Sequence, residues 1–298
     1  MSKKITGGQS LIHSLYNEGI RVIFGLAGVQ MYHAIISILD YPEMKFITTR
    51  HEQASTYMAD GYARAYNKPS VILAGQNGPG ATNLVTGIAQ AKAAFSPVVS
   101  LAGLYSTKDK MEDAFQGLDQ QSLFKPITKK TWTVKNAKKI PKTFSDAFKL
   151  AMSPRRGPVC INLPRNILSN KENFKINEKN QSFDNQNLTK AKFNYIKKAI
   201  KIISNSNKIV IIVGGGIKYN SKYKNVIKLA ELLNAPMVTA AGHGDAIPFN
   251  HKLNAGQMGP RGNPIASKLA KEASVIIAIG TRLGFNSTFY SYENINKR

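Results

Sequence analysis

Glu52 is the residue in this 298-residue chain whose type and position first suggest chemistry. It stands in Arg50-His51-Glu52, directly after the apolar run Lys45-Phe46-Ile47-Thr48-Thr49 and at the head of an alanine-rich helical stretch, 53–66. A carboxylate held there among the weakly polar Ala54, Tyr57, Met58 and Ala59, all expected to be packed, could accept a proton or hydrogen-bond a basic ring nitrogen. Position alone also admits a plainer role, because acidic side chains favour helix N-termini. His51 reads as a packing histidine beside it. Two further glycine-bearing segments follow apolar runs: Gly25-Leu26-Ala27-Gly28-Val29-Gln30, and Gly75-Gln76-Asn77-Gly78-Pro79-Gly80-Ala81-Thr82-Asn83. Taken alone, Gly78-Pro79-Gly80 is ordinary turn chemistry between a strand and a helix. Later in the chain, Gly214-Gly215-Gly216 and Thr281-Arg282 also end apolar runs and could approach a pyrophosphate.

These loops need a scaffold that gathers them, and the periodicity supplies one. Apolar spacing predicts helices over 7–18, 31–39, 53–66, 82–94 and 140–152, alternating with short apolar strands at 21–25, 45–49, 70–74, 97–102 and 158–163. That alternation argues for a parallel sheet covered by helices on both faces. In such a sheet ligands bind beyond the carboxyl ends of the strands, which is where the three loops emerge. Residues 169–190 are polar, lack apolar periodicity and read as a linker between a first domain, 1–168, and a second, 191–298. The second repeats the pattern: a helix carrying Ile196, Ile200 and Ile203, strands at 208–213, 236–240 and 274–279, and helices at 222–233 and 263–271. No clear helix follows the last strand, so this Rossmann-like α/β domain reads as incomplete.

Composition narrows the classes. Apolar residues make up 43% of the chain, enough to fill a core and exclude wholesale disorder. No apolar run is long enough to span a membrane, and the amino terminus lacks a signal segment, so a cytoplasmic soluble protein is expected. Cys160 is the only cysteine, which excludes an internal disulfide and a cysteine-based zinc cluster. The net charge of +24 is unevenly spread, +1 over residues 1–120 and +23 over 121–298. The surplus is lysine without interleaved aromatic platforms, which favours a solvated surface over a nucleic-acid site.

Taken together, Arg50-His51-Glu52-Gln53, Met58-Ala59-Asp60-Gly61-Tyr62-Ala63-Arg64 and Gln76-Asn77-Gly78-Pro79-Gly80-Ala81-Thr82-Asn83 resemble the thiamine-diphosphate enzymes of the acetolactate synthase type. The resemblance runs on through Gly157-Pro158-Val159 and Ile161-Asn162-Leu163-Pro164-Arg165, then through Gly214-Gly215-Gly216 and Gly280-Thr281-Arg282-Leu283. It implies a pyrimidine-binding α/β domain followed by the family's central domain. It also implies a role for Glu52: hydrogen-bonding N1′ of the cofactor's aminopyrimidine, so that the imino tautomer takes the proton from thiazolium C2. By the same resemblance Gly28, Val29, Pro79 and Asn83 line the aminopyrimidine pocket, Phe115-Gln116 forms the pair that meets substrate, and Gly214, Gly215, Gly216, Thr281 and Arg282 are nucleotide contacts where FAD is held. Without the family, Phe115 would read as an amphipathic-loop residue that merely packs. The implied reaction decarboxylates a 2-oxo acid and passes its acyl unit to an acceptor, in a homodimer or homotetramer.

Several residues depart from the synthase pattern. Arg165 stands where the synthases usually have lysine, and here and at Gln76-Asn77-Gly78-Pro79-Gly80 the chain is similar to sulfoacetaldehyde acetyltransferase. A guanidinium suits a carboxylate, sulfonate or phosphate, though a surface arginine after a strand is an equal alternative. Asp113-Ala114-Phe115-Gln116-Gly117 lacks the histidine pair of the decarboxylases, and the presence of Glu52 disfavours glyoxylate carboligase. Gly256-Gln257-Met258-Gly259 replaces a Met-His-Gly sequence, and Gly242-His243-Gly244-Asp245 is not the family's Mg²⁺ and diphosphate motif. Mg²⁺ ligands are therefore expected in a third domain that this chain lacks. A sulfoacetaldehyde acetyltransferase-like enzyme, a non-catalytic two-domain partner of a diphosphate-binding subunit and a nucleotide-binding module using only Gly214–Gly216 and Gly280-Thr281-Arg282 are the competing expectations.

Overall fold

Thr6 sets the first helix. Its hydroxyl accepts from the Gln9 amide at 3.1 Å while its own amide donates to Gln9 Oε1 at 3.1 Å, a capping box that satisfies two otherwise orphaned donors. The computed structural model describes residues 2–175, 190–219, 223–288 and 295. It divides the chain into two units, Met1–Asn187 and Leu188–Arg298.

In the first unit the elements run β1 (Ser2–Thr6), α1 (Gly7–Asn17), β2 (Val22–Leu26), α2 (Tyr32–Ile36), β3 (Lys45–Thr48), α3 (Glu52–Tyr66), β4 (Ser70–Ala74), α4 (Pro79–Thr82), α5 (Val85–Ala93) and β5 (Val98–Leu104). They continue with α6 (Gln120–Phe124), β6 (Thr131–Thr133), α7 (Ile140–Met152), β7 (Val159–Pro164), α8 (Arg165–Ser169) and β8 (Lys171–Lys175). Six strands form one parallel sheet in the order β3-β2-β4-β5-β7-β6. Every residue of β4, β5 and β7 is buried, as a parallel sheet covered on both faces requires. Alternate residues serve opposite faces. Val71 and Leu73 meet Leu11, Leu15, Phe144 and Phe148 of α1 and α7, whereas Ile72 and Ala74 meet Ala59, Leu84, Ile88 and Phe124 of α3, α5 and α6 and the chain between α4 and α5.

The helices expected at 31–39 and 82–94 are each divided. The first is a short α-turn between 3₁₀ turns at Val29–Met31 and Ser37–Asp40; the second breaks between Thr82 and Val85. The buried face of α3 also differs from expectation. Ser55, Thr56, Ala59, Asp60 and Ala63 point inward, while Ala54, Tyr57 and Met58 are exposed. The cause is close packing: Thr56 lies against Gly87 of α5, where a side chain would leave no room, and small polar residues fill that seam. The expected linker contributes β8, which pairs antiparallel with β1 from Ser2↔Lys175 to Thr6↔Lys171; the rest of that segment, 176–189, lies outside the described residues.

The second unit contains α9 (Phe193–Ser204), β9 (Ile209–Val213), α10 (Tyr223–Leu233), β10 (Met237–Thr239), β11 (Asn254–Gln257), α11 (Pro264–Glu272), β12 (Val275–Ile279) and α12 (Phe285–Thr288). Its four-stranded parallel sheet has the order β11-β10-β9-β12. β11 and the single turn α12 were not expected from the sequence. Val226 and Ala230 of α10 and Ala266 and Ala270 of α11 are buried, whereas no residue of α9 is. Among the described residues no helix is long and apolar enough to cross a membrane.

Candidate active site

In the first sheet the chain passes from β2 to its neighbour β3 on one side, then crosses to β4 on the other. This reversal opens a crevice at the carboxyl ends of β2 and β4, the usual ligand position of such sheets. Two glycines close its floor. A Cβ on Gly75 would stand 2.0 Å from the Gly28 nitrogen, and one on Gly28 would stand 2.4 Å from the Gly75 carbonyl carbon. The Gly75 amide also donates to the Leu26 carbonyl at 3.0 Å. Only glycine at both places lets the two loops touch.

Glu52 enters from the third side as the first residue of α3 and is 5% exposed. His51 caps that helix through Nδ1, which accepts from the Gln53 amide at 3.1 Å; it is exposed rather than packed, a correction to the sequence reading. Asn83 Nδ2 donates to Glu52 Oε2 at 2.9 Å. The other oxygen, Oε1, faces Gly80, where a Cβ would come within 3.2 Å, and it accepts no hydrogen bond among the described residues. One carboxylate oxygen is thus fixed, and the other has no donor among the described residues. Pro79 is exposed at the first turn of α4, and Gly78 before it takes φ +58°. The turn brings Glu52, Pro79 and Asn83 together, and Gly28 joins them through Gly75 and Gln76. Val29, beside Gly28, is 71% exposed at the rim.

A network on the far side of the turn holds the loop bearing Phe115 and Gln116. Asn77 is fully buried, and its Nδ2 donates to the Phe115 and Gln116 carbonyls, each at 2.8 Å. Gln76 Nε2 donates to Gln116 Oε1 at 2.7 Å. Gln120, 1% exposed, accepts from the Gly78 amide at 3.1 Å and donates to the Gly103 carbonyl at 3.2 Å and Asn162 Oδ1 at 3.0 Å. Gln116 sits at φ +55°, a left-handed conformation that these bonds hold in place. Phe115 is not packed but 75% exposed. Nearby, Ser122 hydrogen bonds keep the Asp119 carboxyl below its usual range, while partial burial and then Asp119 and Glu112 raise the Tyr105 phenol.

Arg165 is not drawn into this cluster. It follows β7, separated from β4 by β5, and its Nη2 pairs with Asp109 Oδ2 at 3.2 Å. In the second unit, Gly214 meets Gly280 and Thr281, and Gly216 meets Gly280, at the reversal between β9 and β12. There the Gly214 amide donates to the Ile279 carbonyl and the Gly216 amide to the Gly280 carbonyl, both at 2.9 Å, and the His243 ring covers Gly215. Thr281 Oγ1 accepts from the Leu283 amide at 3.1 Å. Gln257 Oε1 accepts from the Gly242 amide at 3.0 Å.

Sequence reasoning missed Gln120 and Gln30. A glutamine in a short helix reads as solvent-facing, and only its burial marks Gln120 as a strut. Gln30, in the loop after β2, is 7% exposed, and its Oε1, like Asn77 Oδ1, is buried without a hydrogen-bond partner among the described residues. Such orphaned acceptors are costly unless a ligand or water satisfies them. Cys160 does not belong to any site: burial pushes its thiol up to about 12.

Comparison with known proteins fits this geometry. Residues 5–123 match the family model described as thiamine pyrophosphate enzyme, N-terminal TPP binding domain, and residues 196–298 match thiamine pyrophosphate enzyme, central domain. The chain is 38% identical over 279 residues to the probable acetolactate synthase large subunit of Methanocaldococcus jannaschii, covering 93% of this chain and 47% of that protein. It is 38% identical over 287 residues to the acetolactate synthase large subunit of Buchnera aphidicola subsp. Schizaphis graminum, covering 95% and 50%. It is 32% identical over 286 residues to the acetolactate synthase isozyme 3 large subunit of Escherichia coli K12, again covering 95% and 50%. The chain spans about half the length of the curated relatives it matches. A buried carboxylate with one open oxygen, at the sheet reversal of a segment that matches a TPP-binding domain, followed by a second segment that matches a central domain, makes the chain a member of the thiamine pyrophosphate enzyme family.

Proposed function

We propose that this chain supplies the pyrimidine-binding and central domains of a thiamine-diphosphate-dependent carboligase of the acetolactate synthase type, acting in the cytoplasm as a homodimer or homotetramer. The observation that carries the reading is Glu52: buried, fixed at Oε2 by Asn83 and open at Oε1 over Gly80. An aminopyrimidine fits this cradle, because its ring nitrogen in the protonated form is the donor that Oε1 lacks, and a glycine turn leaves the space a flat ring needs. Glu52 would hold that nitrogen, Asn83 would hold Glu52, and Gly28, Val29 and Pro79 would line the ring. When bound, the cofactor supplies an electron sink for the carbon that loses carbon dioxide. Glu52 biases the proton at the ring nitrogen, and its burial strengthens that bond by excluding water. Gln116 is the group on this chain that meets the reacting 2-oxo acid, with Phe115 as its apolar neighbour.

Mg²⁺ and the diphosphate are assigned to sequence outside these two units, in keeping with relatives about twice as long. FAD fits poorly: the Gly214 and Gly216 amides are already committed to backbone carbonyls. Arg165 would serve an anionic substrate only by exchanging its Asp109 partner. Incubating the full-length native protein with thiamine diphosphate, Mg²⁺ and pyruvate tests the reading. Acetolactate formation supports it, and no product with a bound cofactor favours a non-catalytic partner role. Acetyl phosphate from sulfoacetaldehyde and phosphate would support the second reading, a sulfoacetaldehyde acetyltransferase-like enzyme, which Arg165 and Gln76 favour.

A further inference from the structure

Two consecutive backbone carbonyls, those of Phe115 and Gln116, point at one donor, the Asn77 Nδ2, at 2.8 Å each. A carbonyl only accepts, so this contact has one sense: turning the amide over would set its oxygen against two others. That sense leaves Oδ1 buried without a donor among the described residues, a cost that the two bonds to the loop offset. Gln120 is fixed by the same logic. Its Oε1 accepts from the Gly78 amide, which can only donate, and its Nε2 donates to the Gly103 carbonyl, which can only accept. The turn is thereby anchored to β5, while Gly80 on it lies against Glu52. A Cβ on Gly78 would stand 2.4 Å from the Gln116 carbonyl oxygen, so the loop is seated on the turn without a gap. Gln116 holds φ +55°, a conformation that a residue with a β-carbon rarely adopts unaided. Within the loop, the Ala114 amide donates to the Lys110 carbonyl and the Gly117 amide to the Ala114 carbonyl. Those bonds shape the loop but do not attach it to the turn.

Resting on the functional reading above, in which the Phe115–Gln116 loop meets the 2-oxo acid, we infer that Asn77 is a positioning residue for that loop. Fully buried, it is out of reach of a bound molecule, and it acts by holding the loop backbone in its left-handed form on the turn that carries Pro79. The backbone is what is held; either sense of the Gln116 side-chain amide is compatible with it. Without the Asn77 donor both carbonyls turn to water, the left-handed form loses its support, and the competent loop becomes a fraction of the population. Substrate binding must then restore it, which raises KM by the inverse of that fraction and leaves kcat nearly unchanged. The bond from Asn83 to Glu52 is untouched, so the cofactor is held as before.

The test compares the full-length holoenzyme with its Asn77→Ala variant; should that variant not fold, Asn77→Ser, which keeps a hydroxyl donor, takes its place. Calorimetry measures thiamine diphosphate affinity, hydrogen exchange read by mass spectrometry follows residues 110–118, and steady-state kinetics with pyruvate give KM and kcat. The expected cofactor affinity is within about twofold of wild type, and exchange over 110–118 is about tenfold faster. KM for pyruvate is raised about tenfold, with kcat lowered no more than about twofold. Adding Gln116→Ala to Asn77→Ala then lowers kcat/KM by a smaller factor than Gln116→Ala does alone, because the two residues act through one loop. Unchanged exchange, unchanged KM, fully multiplicative effects or a loss of cofactor affinity overturns the inference and leaves the cofactor reading intact. A Gln116→Ala variant that behaves as wild type overturns the role given to that loop, and the inference with it. A wild type that binds no thiamine diphosphate, or does not turn over pyruvate, overturns the functional reading on which the inference rests.

Discussion

The two units of this chain carry the same device, a parallel sheet whose chain order reverses about a central strand, and use it differently. At the β2/β4 reversal the glycines bring two loops together and the side chains around them keep unused hydrogen-bonding capacity: Glu52 Oε1, Gln30 Oε1 and the Gln116 amide. At the β9/β12 reversal the glycine loops are tied by two backbone bonds, the Gly214 amide to the Ile279 carbonyl and the Gly216 amide to the Gly280 carbonyl, where the first reversal has one, the Gly75 amide to the Leu26 carbonyl. The same residue type at the same topological place is a cradle in one unit and a clasp in the other. What separates them is the carboxylate: the first crossing has Glu52, with Oε1 open, beside its glycines.

Breaking the cradle gives the largest expected effect. Glu52→Gln keeps the shape and the Asn83 contact but removes the negative charge, and it is expected to lower turnover of the full-length enzyme by about 10²-fold or more, with a melting temperature within a few degrees of wild type. Next come the glycines. Gly75→Ala and Gly214→Ala each drive a methyl group into backbone, 2.0 Å from the Gly28 nitrogen and 2.3 Å from the Gly280 carbonyl oxygen respectively. Each is expected to cost about 1–3 kcal/mol in denaturant melts. The comparison predicts that Gly75→Ala also weakens thiamine diphosphate binding and that Gly214→Ala does not; equal effects on affinity would erase the distinction.

A third prediction concerns pH. Glu18 is buried at the carboxyl end of α1, where the helix dipole also disfavours its charge, and burial raises its carboxyl to about 7 despite Lys149. The folded value lies above the unfolded one, near 4.5, so this group's contribution to stability is complete below pH 4.5 and is lost as pH rises towards 7. The loss is roughly 3 kcal/mol at most. Glu18→Gln is expected to flatten the melting temperature between pH 5 and 8 and to stabilise the protein at pH 8. The smallest effect belongs to α9, where Ile200 is 57% exposed. Ile200→Lys is expected to change stability by less than about 0.5 kcal/mol. A loss of several kcal/mol would mean that another part of the full-length protein covers this face.

Much of the first sheet was legible because its strands are short apolar runs bounded by glycine or proline, and such runs have few alternatives once helices lie between them. β8 was not, since Lys171–Lys175 is locally polar and becomes a strand only by pairing with Ser2–Thr6 at the far end of the unit. β6 was missed because three residues, Thr131–Thr133, carry too little pattern. That Glu52 would meet Asn83 beside the Pro79 turn was legible from motif and order. The inward face of α3 was misjudged by one step around the helix, because its seam with α5 is made of serine, threonine and alanine rather than large apolar residues. Gln120 and the Gln76–Gln116 bond were invisible, as the polarity of an amide and the burial of a lone glutamine are properties of the assembled loops.

The central claim is that Glu52 moves the proton balance of a bound thiamine cofactor. Its most direct test is the rate of hydrogen–deuterium exchange at C2 of thiamine diphosphate, followed by proton NMR in the presence of the full-length protein and of its Glu52→Gln variant at saturating cofactor. The account predicts exchange accelerated by the wild type and returned to near the free-cofactor rate by the substitution. Equal acceleration by both proteins would contradict it.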